Sequence, residues 1–273
     1  MIPLRDTVPS ERTPVVTWLL IAVCAGVYGY QTLLDFHRIG YRDVQMGRRV
    51  RRIPQTEDDQ FVARWGATPQ VVLRGYVTVE AVDESYFFPR RYEVTQPVPL
   101  RRRLATLVTS LFLHGSLMHL ISNMLFLFIF GDNVEDRLGH FGFLIFYLAG
   151  GVIASISHIL FNPLSSMPII GASGAISAVL GAYFLLFPRA FVVTFVPIFF
   201  LPLMIDVPAI LFLGLWFFSQ ITNGFGSLVN TTGGIAWFAH IGGFLFGVIL
   251  TFLNYPQWRK PRPRHSEAQP FSV

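Results

Sequence analysis

The chain has 273 residues, of which 21 are Lys or Arg and 16 are Asp or Glu, so charged side chains make up 14% where a soluble domain carries roughly 25%. Only six of them, Asp132, Glu135, Asp136, Arg137, Arg189 and Asp206, fall within residues 104–258, which excludes an ordinary water-soluble fold because a globule must present far more charge than that. The single cysteine, Cys24, excludes a disulfide framework and a cysteine-based metal site, and a net charge of +5 without aromatics interleaved among the basic residues points to a lipid surface, with no nucleic-acid partner.

A spanning helix needs about 20 mostly apolar residues. The first such stretch, 14–34, follows a polar leader, residues 1–13, that carries Arg5 and Arg12. A basic leader before an apolar run resembles a signal peptide, but no small-x-small cleavage site precedes a soluble domain, so an uncleaved first span is expected. Residues 35–103 are polar, with 13 Arg and 9 acidic residues. Within them, 70–81 and 86–98 alternate weakly, which leaves short strands and interfacial helices both open.

Apolar stretches follow at 104–130, 138–161, 169–187, 207–221 and 234–254, giving six expected spans. Residues 191–204 are also apolar but contain Pro197 and Pro202, which predicts a re-entrant or interfacial piece in place of a seventh span. The expected fold is therefore an all-α polytopic bundle. Residues 14–254 form its six-span domain, including the long first loop, and 255–273 form a basic tail.

An even number of spans puts both termini on one side. Arg259, Lys260, Arg262 and Arg264 in the tail, with the two leader arginines, place that side in the cytoplasm, and the expected membrane is the cell membrane. The uncharged connections 162–168 and 222–233 then lie outside, as does the first loop. Its net charge of +4 runs against the bias, but loops longer than roughly 60 residues are largely exempt.

Polar side chains inside spans are expensive in lipid and point to function. Three groups stand out: His114, His119 and Asn123 at the start of the second span, Gly171-Ala172-Ser173-Gly174 at the start of the fourth, and Ala239-His240-Ile241-Gly242-Gly243 in the sixth. All three spans run from outside to inside, so His119, Ser173 and His240 fall at one depth. Gly174, Ala178 and Ala182 form a small-residue stripe on the fourth span, and Gly243 with Gly247 a second on the sixth. Such stripes let helix backbones approach closely in lipid.

Close approach is what a hydroxyl and an imidazole on separate helices need to reach hydrogen-bonding range. Serine becomes a competent nucleophile when a base takes its proton, and neutral imidazole is the usual base near pH 7. His119 and Asn123, at i and i+4, share a helix face and could add donors for an oxyanion beside the Ser173 backbone N–H. Taken singly, a Ser between glycines is a packing residue and a His in a span a structural donor. Their coincidence in one layer favours chemistry.

His140 and His158 have no matching partners and are read as structural. A zinc site would need three or four ligands, and no carboxylate lies near this layer, so no metal or other cofactor is expected. A transporter would need paired acids and bases along a path, which are absent from the sequence of the spans. Because none of the six charges falls in the outer layer, a third, carboxylate member of a serine site is also missing there, and a two-member site is expected.

These residues resemble those of the rhomboid intramembrane serine protease family, over roughly residues 13–254. His114, His119 and Asn123 match its His-x4-His-x3-Asn pattern, and Gly171, Ser173 and Gly174 its Gly-x-Ser-Gly pattern. Residues 239–243 match Ala-His-x-Gly-Gly, and Gly131, Glu135, Arg137 and Gly139 match its Gly-x3-Glu-x-Arg-x-Gly turn after the second span. The resemblance implies a serine endopeptidase that cleaves transmembrane protein substrates in or near their membrane segments. It implies Ser173 as nucleophile, His240 as general base, and His119, Asn123 and the Ser173 N–H as the oxyanion hole. It also implies a first loop lying against the outer leaflet and a fifth span that helps admit substrate.

Two positions depart from the family pattern. Ala105 and Thr106 stand where many relatives carry Trp-Arg, with Arg101, Arg102 and Arg103 out of register nearby. Ser177 stands where some relatives place an aromatic against the base.

Overall fold

A computed structural model describes residues 2–46, 49–83, 90–198, 201–229 and 235–258. Nine helices and seven strands are found among them: α1 (Val15–Asp35), α2 (Glu57–Trp65), α3 (Pro69–Arg74), α4 (Leu100–Thr109), α5 (Leu117–Leu138), α6 (His140–Phe161), α7 (Ser173–Leu186), α8 (Ala209–Val229) and α9 (Trp237–Trp258), with β1 (Ile2–Asp6), β2 (Arg38–Met46), β3 (Arg49–Thr56), β4 (Tyr76–Asp83), β5 (Arg90–Pro97), β6 (Phe191–Ile198) and β7 (Leu201–Pro208). The basic tail lies outside the described residues, apart from its first four positions, which close α9.

Five helices, α1, α5, α6, α8 and α9, are long and apolar enough to cross a membrane. Their outward faces carry large apolar side chains such as Leu33, Leu160 and Phe252, each at least 60% exposed, as expected where lipid is the solvent. The expected fourth span differs. Its helix, α7, has only 14 residues and is about 21 Å long, short of the roughly 30 Å hydrocarbon thickness. Every residue from Gly174 to Tyr183 is buried, so α7 is the central post of the bundle.

The α7 start can be placed against α6. Gly174 packs on Ala154, seven residues before α6 ends at Phe161, so Ser173 lies roughly 10 Å in from that end.

The second expected span is also reshaped. Residues 104–130 do not form one helix: α4 ends at Thr109, a 3-10 turn covers Ser110–Phe112, and α5 begins at Leu117. The Ser116 hydroxyl caps it by accepting from the His119 N–H at 3.2 Å. At its other end α5 runs on to Leu138, so Gly131, Glu135 and Arg137 lie in its last turns and not in a turn after it. Gly139, at φ 72°, terminates the helix.

That helical continuation buries Glu135 at 2% exposure against the start of α1. Its carboxylate accepts from the N–H groups of Val16 (2.9 Å) and Thr17 (2.8 Å) and from the Thr17 hydroxyl (2.8 Å), and His140 Nδ1 completes the set. A carboxylate from one helix therefore satisfies the orphan donors of another and opposes the positive end of its dipole. His140 is thus structural, as expected. The Arg137 guanidinium lies 4.8 Å from the Phe187 ring centroid, next to this cluster.

Residues 191–204, expected to be re-entrant or interfacial, belong to an antiparallel hairpin, β6–β7, and β1 adds a third strand along β6. The leader is tied in further by Asp6, which accepts from the Tyr183 hydroxyl and from Asn133 Nδ2 (2.9 Å). Burial pushes the Asp6 carboxyl above its ordinary range, and the Tyr183 hydrogen bond partly offsets this.

The first loop contains both kinds of element left open by its sequence. Hairpins β2–β3 and β4–β5 accompany α2, α3 and α4. The α2 helix starts with a capping box between Thr56 and Asp59. Arg103, out of register with the family arginine, donates to the Val72 carbonyl at 2.8 Å and packs on Gly75, where φ is +81°.

Replacing Glu135 with Ala strands the α1 donors in a buried setting and is expected to cost roughly 2–4 kcal/mol. Thermal unfolding in detergent should show a midpoint several degrees lower, with a smaller loss for Glu135→Gln. An unchanged midpoint for Glu135→Ala would refute this role.

Candidate active site

Three elements meet around α7. Gly243 of α9 is so close to Gly174 of α7 that an added methyl would strike the Gly174 carbonyl oxygen, and a methyl at Gly247 would strike that of Ala178. Gly181 has the same relation to the carbonyl of Phe244. The two small-residue stripes thus face each other, and the helices run in parallel with their backbones in contact.

This contact sets the reach of the next side chains. Ser173, the first residue of α7, and His240, in the first turn of α9, are brought together with Nε2 2.8 Å from Oγ. Both are half-buried and line a cavity of about 1250 Å³.

The segment leading into Ser173 is braced by the first loop. Ala67 and Ile169 exchange backbone hydrogen bonds at 3.1 and 3.0 Å, Gln70 N–H donates to the Ser165 carbonyl, and Gly171 N–H donates to that of Ser110. Gly171 has φ +115°, which disfavours any side chain, and a Cβ there would lie 2.7 Å from the His119 ring. A glycine is required for both reasons.

Asn123 and His119 line the same cavity from α5. Asn123 is buried at 6% exposure and its Nδ2 has no partner among the described residues, so an amide donor stands uncommitted in the cavity that Ser173 also lines. An unpaired buried donor is costly and wants an explanation. His114 is elsewhere: it is fully buried behind the site, its ring 5.1 Å from that of His119 in a T-shaped contact. Gly174 and Gly243 serve the helix crossing, whereas Glu135 and Arg137 lie at the far end of α5.

The structure adds to the sequence reading at His158, around Ser177 and at Gln220. His158, read as structural, lines the cavity from α6. The position of Ser177 is not filled by an aromatic; its hydroxyl donates to the Ser173 carbonyl at 2.6 Å. Aromatic surroundings for the imidazole come instead from Trp216 of α8, at 6.1 Å and 32°, and from Trp237, at 6.2 Å and 86°. Finally, Gln220 of α8 places Oε1 2.8 Å from His240 Nδ1. The available signal was a lone amide side chain near the end of an apolar span.

A family model for the rhomboid domain matches residues 101–257, more than half of the chain. The chain belongs to the rhomboid family. The family includes intramembrane serine proteases, and this member is a multi-pass membrane protein. It is 27% identical over 187 residues to Rhomboid protein 1, mitochondrial, of Saccharomyces cerevisiae, covering 66% of this chain and 50% of that one. RHOMBOID-like protein 12, mitochondrial, of Arabidopsis thaliana is 32% identical over 161 residues, 52% of this chain and 44% of its own. Rhomboid protease GluP of Bacillus subtilis is 43% identical over 76 residues, 28% of this chain and 14% of its own. The chain therefore spans half or less of the length of these rhomboid relatives, which include mitochondrial as well as bacterial proteins.

A side chain at Gly247 must drive α9 away from α7. Gly247→Leu is expected to cost about 3 kcal/mol or more and to lower the thermal midpoint in detergent. Gly26→Ala in α1, where no atom of the described residues lies within 4 Å of the added methyl, is expected to leave it undiminished. Equal midpoints for Gly247→Leu and the parent would contradict a close crossing.

Proposed function

We propose that the protein is an intramembrane serine endopeptidase that uses Ser173 as nucleophile and His240 as general base. The observation that carries this reading is the 2.8 Å Ser173 Oγ to His240 Nε2 contact, made inside an apolar bundle at the wall of a cavity. In this reading the imidazole takes the hydroxyl proton as Oγ attacks the scissile carbonyl, then delivers it to the leaving amine. Water hydrolyses the resulting ester by the same route in reverse. The developing oxyanion accepts from the Ser173 N–H, from Asn123 Nδ2, which has no other partner among the described residues, and from His119.

The substrates are membrane proteins, cut in or near a transmembrane segment, because the cavity opens within a helical bundle whose outer surface is apolar. Residues 14–254 act as one protease domain, with the first loop bracing the segment before Ser173, between a leader at 1–13 and the tail at 255–273. Both termini face the cytoplasm, on the strength of the arginines in leader and tail.

A reporter with a single transmembrane segment, reconstituted with the protein in liposomes, tests the reading. Ser173→Ala and His240→Ala are each expected to reduce cleavage by at least about 1000-fold. Asn123→Ala is expected to reduce kcat roughly 10- to 1000-fold with little change in KM. Cleavage by Ser173→Ala at the parent rate would sink the proposal.

A further inference from the structure

We infer that Gln220 is the positioning residue for His240, holding the imidazole in the single tautomer that can act as a base toward Ser173. The inference rests on Ser173 and His240 being nucleophile and base. An amide can be turned end for end, and the neighbours of Gln220 decide which end faces His240.

Gln220 is 5% exposed, and all its polar atoms have partners. One end of the amide lies 3.1 Å from the Trp216 carbonyl, which can only accept. The same end lies 2.9 Å from the Ser219 hydroxyl, and that hydroxyl gives its own hydrogen to the Trp216 carbonyl at 2.6 Å. Two acceptors therefore surround this end, so it must be the NH2 group. The other end, Oε1, faces His240 Nδ1 at 2.8 Å and can only accept.

The consequence for the imidazole is direct. In a neutral ring one nitrogen carries the proton and the other is bare. Oε1 requires the proton on Nδ1, and so Nε2 is left bare toward Ser173 Oγ. The opposite tautomer would set a lone pair against Oε1 and an N–H against the hydroxyl that has to be deprotonated.

A carboxylate in the place of Gln220 would orient the ring in the same way, but burying an unpaired charge in a lipid-surrounded bundle is expensive. A neutral amide gives orientation without that cost. The base is thus aligned from α8 and the nucleophile from α7, so productive geometry requires α8 in the position observed.

The test uses the full chain in detergent micelles, with histidine 15N-labelled in the ring and the His240 signals assigned by their loss in His240→Ala. In the parent, Nδ1 is expected to carry the proton and Nε2 to be bare. In Gln220→Leu this preference should be lost, and in Gln220→Glu it should be regained. In parallel, the rate of Ser173 labelling by a fluorophosphonate is expected to fall roughly 10- to 100-fold in Gln220→Leu, with its half-saturating probe concentration unchanged, and to recover at least tenfold in Gln220→Glu.

A parent ring protonated on Nε2 overturns the inference without recourse to any variant. So does Gln220→Leu with the parent tautomer and labelling rate. If the parent and Ser173→Ala label alike, the nucleophile reading fails, while the ring signals still decide the role of Gln220.

Discussion

Gly243 and Gly247 of α9 lie against Gly174 and Ala178 of α7 with no room for a methyl group between them. Everything at the proposed site depends on that spacing. In lipid, helices gain nothing from burying apolar faces against one another, so what holds them is dispersion at close range. The same contact that stabilises the pair carries Ser173 and His240 to within a hydrogen bond. Packing and site geometry are consequences of one set of small residues, and a change that loosens the first must misalign the second.

The same solvent explains how the polar groups are arranged. At one end of the bundle Glu135 satisfies the first donors of α1, and Asp6 joins β1 to α5 and α7. In the layer around Ser173 one run of polar groups is matched: Ser173 with His240, His240 with Gln220, and Gln220 with Trp216 and Ser219. Among the described residues Asn123 Nδ2 and His158 Nδ1 are left without partners in the cavity lining. A donor withheld from internal pairing is available to a group that enters, which is the property an oxyanion site needs.

Much of this was readable from the sequence because membrane helices follow simple rules of length and depth. Residue counts along apolar stretches were sufficient to set His119, Ser173 and His240 at one level, and spacing four residues apart was sufficient to align the two stripes. The limits of that reading are physical. The shortness of α7 is invisible in composition, because residues 169–172 are as apolar as a helix, but the backbone of Ile169 pairs with Ala67 and the Gly171 N–H donates to the Ser110 carbonyl, both far away in the chain. The continuation of α5 through its charged turns depends on Glu135 finding partners in α1. Pairing of β1 with β6 joins residues almost 190 positions apart, with register decided by neighbours and not by local preference. Gln220 went unnoticed because a single amide fits no motif until His240 is opposite it, and His158 was read as structural because its place in the cavity lining is set by the tertiary fold.

The most direct measurement is fluorophosphonate labelling of the protein in liposomes followed by peptide mapping. A serine activated by a neighbouring imidazole is expected to yield an adduct on the Ser173 hydroxyl that disappears in His240→Ala. A protein that stays unlabelled, or an adduct that forms equally well without the His240 imidazole, would contradict a Ser173–His240 active site.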